Sequence, residues 1–142
     1  MRAALSEAEA AYAEGEVPVG AILVSGGRVI ARAHNVKEAS GDPTGHAELL
    51  ALRAGAREIG NWRLSDATLY ATKEPCIMCA GAMVNARLGK LVYGCNDEKG
   101  GAVESLYALL SDRRLNHQVV VVSGILEDEC AEILKRFFRE KR

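Results

Sequence analysis

The sequence lacks any long apolar segment, any strong excess of charge and any dense set of cysteines. No stretch is long and apolar enough to span a membrane. The first twenty residues carry four glutamates, so no signal peptide is visible. The net charge of −1 differs from the strong basic excess that usually marks a nucleic-acid-binding protein. These absences predict a cytoplasmic protein with no membrane partner.

Linkers, internal repeats and low-complexity segments are also missing. The 142 residues correspond in length to one domain. A chain of this size buries roughly 68–70% of its unfolded surface, which supports a core without disulfides. The apolar content of 49% is typical of a globular protein rather than a disordered one. We therefore predict a single domain over residues 1–142.

Cysteines are few, but two of them stand three residues apart, at Cys76 and Cys79. A second segment supplies an imidazole at His46 and a carboxylate at Glu48. Zinc with only three protein ligands keeps one open position, which distinguishes a catalytic site from a structural one. Zinc also lowers the pKa of a bound water from about 15.7 to about 7. The pattern predicts a zinc hydrolase with ligands His46, Cys76 and Cys79 and with Glu48 as proton carrier.

The local spacing supports this interpretation. Cys76 and Cys79 would share one helix face, and Pro75 suits the first turn of that helix. A helix N-terminus carries partial positive charge and favours thiolate over thiol. We expect His46 to begin a second helix, so that two helix N-termini point at one ion.

Other interpretations of these cysteines and histidines stay open at this point. Cys-x-x-Cys is also the pattern of a redox pair, and in a structural zinc site Cys95 or Cys130 would supply the fourth ligand. No second Cys-x-x-Cys is present, so we favour small buried hydrophobic roles for Cys95 and Cys130. For His34 and His117, we favour a local hydrogen bond over metal binding.

Hydrophobic periodicity and turn residues predict an α/β fold with helices on both faces of the sheet. A hairpin comes first and is followed by alternating strands and helices. The metal motifs then lie at a strand-to-helix edge, where such sheets bind ligands. The predicted strands cover 19–24, 28–33, 67–71, 91–94 and 118–122, the helices 6–14, 46–59, 76–87, 104–110 and 127–139, and a loop 36–45.

The last eight residues concentrate positive charge, with five basic side chains against one glutamate. Phe137 and Phe138 lie among them. Basic groups with aromatic neighbours can bind phosphates and stack on bases. The same run is also typical of an ordinary helix end, with cations near the C-terminus and both phenylalanines in the core, and composition alone favours this second interpretation.

His46-x-Glu48 followed by Pro75-Cys76-x-x-Cys79 resembles the zinc nucleoside and nucleotide deaminase superfamily. The resemblance covers nearly the whole chain and is strongest to the bacterial tRNA-specific adenosine deaminases. The segments that favour this branch are Asp97–Ala102 and Leu115–His117. Further matching segments are Glu16–Ala21, Asn35, Asp66–Tyr70, Glu74–Met83, Ser105–Leu106 and Phe137–Arg139.

The resemblance implies a three-layer α/β/α cytidine-deaminase-like fold with a mixed five-stranded sheet flanked by helices. It implies one zinc ion per subunit, a homodimer, and an RNA site that draws on both subunits. The implied reaction is hydrolytic deamination of the wobble adenosine to inosine in the anticodon loop of an arginine tRNA. The implied substrate contacts are Asn35 to the flipped base or its sugar, Val17 and Val19 beside the base, and Asp97, Asn116 and the basic end with Arg139 against the RNA loop.

Three departures from the family pattern are visible. Lys73 stands where we expect an apolar residue, which predicts a more basic rim, and Cys95 stands where a smaller residue is usual. The first helix also looks short. A deaminase of a free nucleobase or nucleoside, such as guanine, cytosine or cytidine, would need the same metal set, and a zinc-stabilised binding module without activity is a further alternative.

Overall fold

The computed structural model describes residues 1–141, so the Arg142 end of the basic tail lies outside it. Five strands form one sheet, and five α-helices and one short 3₁₀ helix surround it. The strands are β1 Gly20–Ser25, β2 Arg28–His34, β3 Ala67–Lys73, β4 Lys90–Cys95 and β5 Val120–Val122. The helices are α1 Arg2–Ala13, α2 Lys37–Ser40, α3 Ala47–Ile59, α4 Ile77–Asn85 and α5 Glu127–Glu140, with the 3₁₀ turn at Leu109–Ser111.

The sheet is mixed, with the strand order β2-β1-β3-β4-β5. β1 runs antiparallel to both β2 and β3, whereas β3, β4 and β5 run parallel. Gly26 and Gly27, both with positive φ, form the tight turn between β1 and β2. The predicted hairpin and the predicted mixed five-stranded sheet are confirmed.

Helices cover both faces of the sheet, as expected. α1 and α5 pack on one face, and α3 and α4 lie on the other. The strands supply fully buried side chains to the core between these layers, among them Leu23, Leu69 and Tyr93. Because β3 and β4 are parallel, Lys73 and Cys95 stand side by side at their carboxyl ends. This edge leads into α4 and the Cys-x-x-Cys segment.

Three details of the predicted secondary structure were wrong. The loop 36–45 contains a short helix, α2. The helix expected at 104–110 is absent from the described chain apart from the 3₁₀ turn. α1 begins at Arg2 and is longer than predicted, because Ala3 to Leu5 continue its regular backbone.

The beginning of α4 also differs from the expectation. Cys76 is the N-cap residue and α4 begins at Ile77, so Pro75 precedes the helix instead of lying in its first turn. Pro75 nevertheless keeps a local role, because its carbonyl accepts a hydrogen bond from the Ala102 N–H.

Across residues 1–141, every helix is too short or too polar to cross a bilayer.

Candidate active site

Two helix beginnings bring the predicted metal ligands together. His46 is the N-cap residue of α3, and Cys76 is the N-cap residue of α4. Both have extended backbone angles, so each side chain leaves the chain just before the helix starts. Cys79 lies in the first turn of α4 and is buried. Both helices therefore direct their positive dipole ends toward one point.

The donor atoms have the spacing of a tetrahedral metal site. His46 Nδ1 lies 3.5 Å from the Sγ atoms of both Cys76 and Cys79. All three donors lie within 4.8 Å of one another. A zinc ion with a Zn–N bond of about 2.0–2.1 Å and a Zn–S bond of about 2.3 Å separates nitrogen from sulfur by about 3.6 Å. The residues present thus fit a metal ion without rearrangement.

The contacts among the three donors shift their pKa values. The Cys79 thiol donates to the Cys76 sulfur, and together with the nearby His46 this lowers the pKa of Cys76 to about 3. The same contact with Cys76, with burial, raises the pKa of Cys79. The hydrogen bond to Cys76 also raises the pKa of His46. Both sulfurs adjoin the same imidazole nitrogen, and a divalent cation held between them would balance two thiolates.

Glu48 is close to the donors but is not part of their cluster. It lies in the first turn of α3 and is only 4% exposed. Burial raises the pKa of its carboxyl, and its side chain meets the Cys79 thiol. A carboxyl at this position is not needed as a ligand and is free to exchange a proton inside the cavity.

A cavity of about 220 Å³ opens beside these groups. Val17, Val19 and Asn35, which were predicted to contact the base or its sugar, all line it, and so does Asp97, which was predicted to meet the RNA loop. Asn35 is 8% exposed and holds two segments of the wall together. Its Nδ2 donates to the Val17 carbonyl, and its Oδ1 accepts from the Lys37 N–H. The second Nδ2 proton remains for a ligand.

Two further buried carboxylates hold the loops on either side of the cavity. Glu16, 1% exposed, accepts the backbone N–H groups of Glu38 and Ala39 at the start of α2. α2 precedes the turn that delivers His46.

On the other side, Glu74 is 2% exposed and binds the 97–105 segment. Its oxygens accept four backbone N–H groups and the Ser105 hydroxyl; the N–H donors are Asp97, Val103, Glu104 and Ser105. A Cβ at Gly101 would overlap the Glu74 carboxylate, so a side chain there would push the segment away. Sequence reasoning placed Glu74 in the motif but gave it no role.

A larger open groove of about 850 Å³ continues from the cavity. Lys73, Asp97 and Phe138 line both spaces. Arg139 lines the groove but not the cavity, and its guanidinium also pairs with Glu132 at 3.1 Å. The remaining groove residues are Lys99, Gly100, Leu134, Lys135 and Lys141.

The basic end of the chain is divided between two roles. Arg136 points away from the groove. Its guanidinium donates to Glu9 at 3.1 Å and stacks over the Tyr12 ring. Phe137 is buried, as expected, whereas Phe138 is 46% exposed in the groove, so the prediction that both phenylalanines pack in the core was wrong. Phe137 and Phe138 are adjacent in the chain, so hydrophobic periodicity could not show which of the two would be buried.

Asn116 is not brought to this site within one subunit. It is exposed in the segment before β5, next to His117, whose Nε2 contacts the Leu88 carbonyl near the start of β4. The cavity opens at the other end of that strand. An RNA contact by Asn116 stays a prediction.

The remaining histidines and cysteines have local partners. His34 lies between Glu7 and Glu14, at 2.8 Å and 3.0 Å. Cys95 and Cys130 are buried, and burial raises the pKa of the first to about 11 and of the second to about 12. These thiols stay protonated at neutral pH and lie apart from the described metal donors.

Sequence reasoning missed three residues of the cavity wall: Lys37, Ala47 and Phe138. Ala47 follows a ligand directly and was the easiest to infer. Lys37 and Phe138 come from α2 and α5, and only tertiary packing brings them to the metal ligands.

Comparison with known proteins places the chain among deaminases. The family model of MafB19-like deaminases matches residues 1–142. The chain is 51% identical over 142 residues to the tRNA-specific adenosine deaminase of Bacillus subtilis (strain 168), an alignment that covers 100% of this chain and 88% of the relative.

Solved structures agree with the fold. One from work on A-to-I editing by tRNA:A34 deaminases at the wobble position of transfer RNA has a TM-score of 0.91 and 48% identity, covering 94% of this chain and 97% of that one. A guanine deaminase from Bacillus subtilis has a TM-score of 0.64 and 36% identity, covering 67% of this chain and 61% of that one. The predicted cytidine-deaminase-like α/β/α fold is confirmed.

Proposed function

This chain belongs to the family of tRNA-specific adenosine deaminases, and on that basis we propose that it hydrolyses the wobble adenosine of a tRNA anticodon loop to inosine, with an arginine tRNA as substrate. The observation that carries the proposal is the cluster of His46, Cys76 and Cys79, with Glu48 next to it, beside a cavity that continues into a basic groove. Residues 1–142 would act as one deaminase domain. A cytoplasmic location agrees with this activity and stays a prediction.

The three donors would hold one zinc ion per subunit. Two thiolates and a neutral imidazole are donors that zinc prefers, and they balance its charge. When bound, zinc supplies a Lewis acid that activates water for attack on a ring carbon. The nitrogen–sulfur separation of 3.5 Å supports this assignment.

Glu48 would carry the protons of the reaction. It takes one proton from the attacking water and delivers it to the ring nitrogen of the adenine. It then takes the second proton of that water from the new hydroxyl group and delivers it to the departing ammonia. Water and adenosine thus give inosine and ammonia, and the carboxylate is restored. Its burial supports this role, because a shielded proton is exchanged with the substrate rather than with solvent.

The two connected spaces suit a base and its backbone. Ligand pockets for drug-sized molecules span about 300–1,000 Å³, so the cavity of about 220 Å³ suits something as small as one nucleobase. Val17 and Val19 supply apolar wall, and Asn35 supplies a hydrogen-bond donor. Arg139 and its neighbouring lysines line the groove, where phosphates would lie.

A quantitative inosine assay tests the proposed function. We expect the zinc-loaded protein to form inosine at the wobble position of an arginine tRNA transcript that carries adenosine there. A matched transcript with guanosine at that position serves as the control and should stay unchanged. Absence of inosine from a zinc-replete protein, together with ammonia release from guanine or cytidine, would replace this proposal with a small-molecule deaminase.

We also propose that two copies form a homodimer through the outer face of α4. α4 contains no charged residue, yet it leaves Ile77, Gly81 and Ala82 wholly or partly exposed. A helix that is apolar on all sides is usually buried. Ala80 lies in the core and is not part of this face. Trp62, 56% exposed, extends the apolar surface.

The mass in solution tests the dimer. We expect sedimentation equilibrium to give about twice the 15.2 kDa of the chain. A Cβ at Gly81 meets no atom within 4 Å, so Gly81→Arg leaves the subunit intact while it places a charge in the interface. This variant should sediment as a monomer. Ala13→Arg, at the end of α1 on the opposite face of the sheet, serves as the control and should sediment as a dimer. If Gly81→Arg still sediments as a dimer, the interface does not include the outer face of α4.

A further inference from the structure

Lys73 stands where the cavity meets the groove. It is the last residue of β3, and its side chain lines both spaces. The strand continues directly into Glu74, Pro75 and the ligand Cys76. A nucleotide whose base enters the cavity must lead its backbone out past this position.

Lys73 is already engaged by one carboxylate. Its Nζ lies 3.0 Å from Asp97 Oδ2, and the two side chains are 28% and 19% exposed. Both partners are anchored. Lys73 pairs with Cys95 in the parallel ladder, and the Asp97 N–H donates to Glu74. The ion pair is thus a fixed part of the rim.

The surroundings of this pair are strongly positive. Asp97 is the only carboxylate among the described residues that line the groove, and Lys73 compensates its charge. The four other cations of the groove are Lys99, Lys135, Arg139 and Lys141. Positive charge therefore exceeds negative charge along the groove side of the rim.

The ammonium group has donors to spare. A lysine carries three N–H donors, and Asp97 uses one of them. Two remain for another acceptor at the junction. A phosphate oxygen suits them, because lysine binds phosphate as a compact point charge and needs no bidentate geometry.

We propose that Lys73 binds a backbone phosphate next to the target nucleotide, while Asp97 holds the ammonium group in place. This inference rests on the proposed function. It adds a substrate-binding residue at a position where the family pattern has an apolar side chain. Lys73 thereby fixes the backbone at the point where the base leaves the stack. The ion pair selects for a nucleotide within a strand over a free base, which has no phosphate to offer.

Equilibrium binding to a labelled arginine-tRNA anticodon stem-loop tests the inference. The zinc-loaded protein in a Glu48→Ala background keeps the substrate unreacted during the measurement. We expect Lys73→Met to raise Kd about tenfold at low salt and to reduce the salt dependence of log Kd by about 0.7. Lys73→Arg keeps the charge and should retain most of the affinity and the salt dependence. In the active protein, the Lys73→Met loss should appear in KM rather than in kcat.

Two controls separate a phosphate contact from other effects of charge. Lys90→Met removes a lysine at the opposite end of the parallel ladder and should leave binding unchanged. In an Asp97→Asn background, where the amide oxygen still accepts from the ammonium group, Lys73→Met should again weaken binding and reduce the salt dependence. If the loss disappears in that background, Lys73 merely masks Asp97 and the inference is wrong.

The outcomes also distinguish this inference from the proposed function. If the parent protein forms inosine but Lys73→Met binds as tightly as the parent with the same salt dependence, only the phosphate contact is refuted. An equal loss in Lys90→Met would refute it as well, because the effect would come from net charge. If the zinc-replete parent forms no inosine, both proposals fail.

Discussion

Replacing Glu48 with alanine is expected to slow inosine formation by at least about 10²–10⁴-fold, because a positioned acid–base group contributes about that much to the rate. Zinc should stay bound, since the described donor cluster consists of His46, Cys76 and Cys79 without Glu48. Two measurements on the same sample are needed: inosine in the tRNA by mass spectrometry, and zinc per chain by elemental analysis.

Two further variants make the Glu48 experiment specific. Glu48→Gln keeps the volume of the side chain but accepts no proton, so it should be as inactive as the alanine variant. Glu58→Ala changes an exposed carboxylate on the same helix and should behave like the parent. Zinc loss from Glu48→Ala would give Glu48 a role in the metal site itself. Undiminished activity would remove it from the mechanism.

Replacing Glu74 with glutamine is expected to lower the free energy of unfolding by about 3 kcal/mol at neutral pH. Burial disfavours the charged carboxyl, but hydrogen bonds from the Ser105 hydroxyl and from backbone N–H groups outweigh burial and lower its pKa from 4.5 to about 2. Each pKa unit corresponds to about 1.4 kcal/mol, and the amide resembles the protonated carboxyl. Urea unfolding of both proteins measures the difference.

The effect of Glu74 should depend on pH in one direction. Between pH 4.5 and about pH 2, the unfolded chain binds the Glu74 proton and the folded chain does not. The stability that this carboxylate contributes is therefore complete above pH 4.5 and is lost as the pH falls toward 2. The difference between parent and Glu74→Gln should shrink over that range, whereas the exposed Glu98→Gln should match the parent throughout. A pH-independent difference would mean that shape, rather than charge, holds the segment.

The metal donors were predictable because their arrangement is local. His46 and Cys76 each begin a helix, and Cys79 follows within one turn, so short sequence patterns specify most of the geometry. Glu48 follows for the same reason. Val17, Val19 and Asn35 came instead from family resemblance, and all three line the cavity.

The errors occurred where distant residues control the backbone. α2 has only four residues, and its first free N–H groups are satisfied by Glu16, more than twenty positions earlier. The helix predicted at 104–110 is replaced by turns, and the N–H groups of Glu104 and Ser105 donate to Glu74, which lies about thirty positions earlier in the chain. A local pattern contains no information about such partners.

The groove was beyond sequence reasoning for a similar reason. Lys73 comes from a strand, Lys99 from a loop and Arg139 from the last helix, and they meet only after folding. The tail's composition could not separate Arg136, which pairs with Glu9 and Tyr12, from Arg139 three positions later. Helical phase decides which of the two faces the groove.

Because Glu16 and Glu74 hold the loops beside the cavity, those loops can change in sequence independently of the metal donors. The donors are fixed by the first turns of α3 and α4, whereas two other segments of the site, the loops at the start of α2 and at 97–105, are each bound by one glutamate. Mutations in those loops can therefore accumulate and change which base is admitted while the reactive centre is inherited intact.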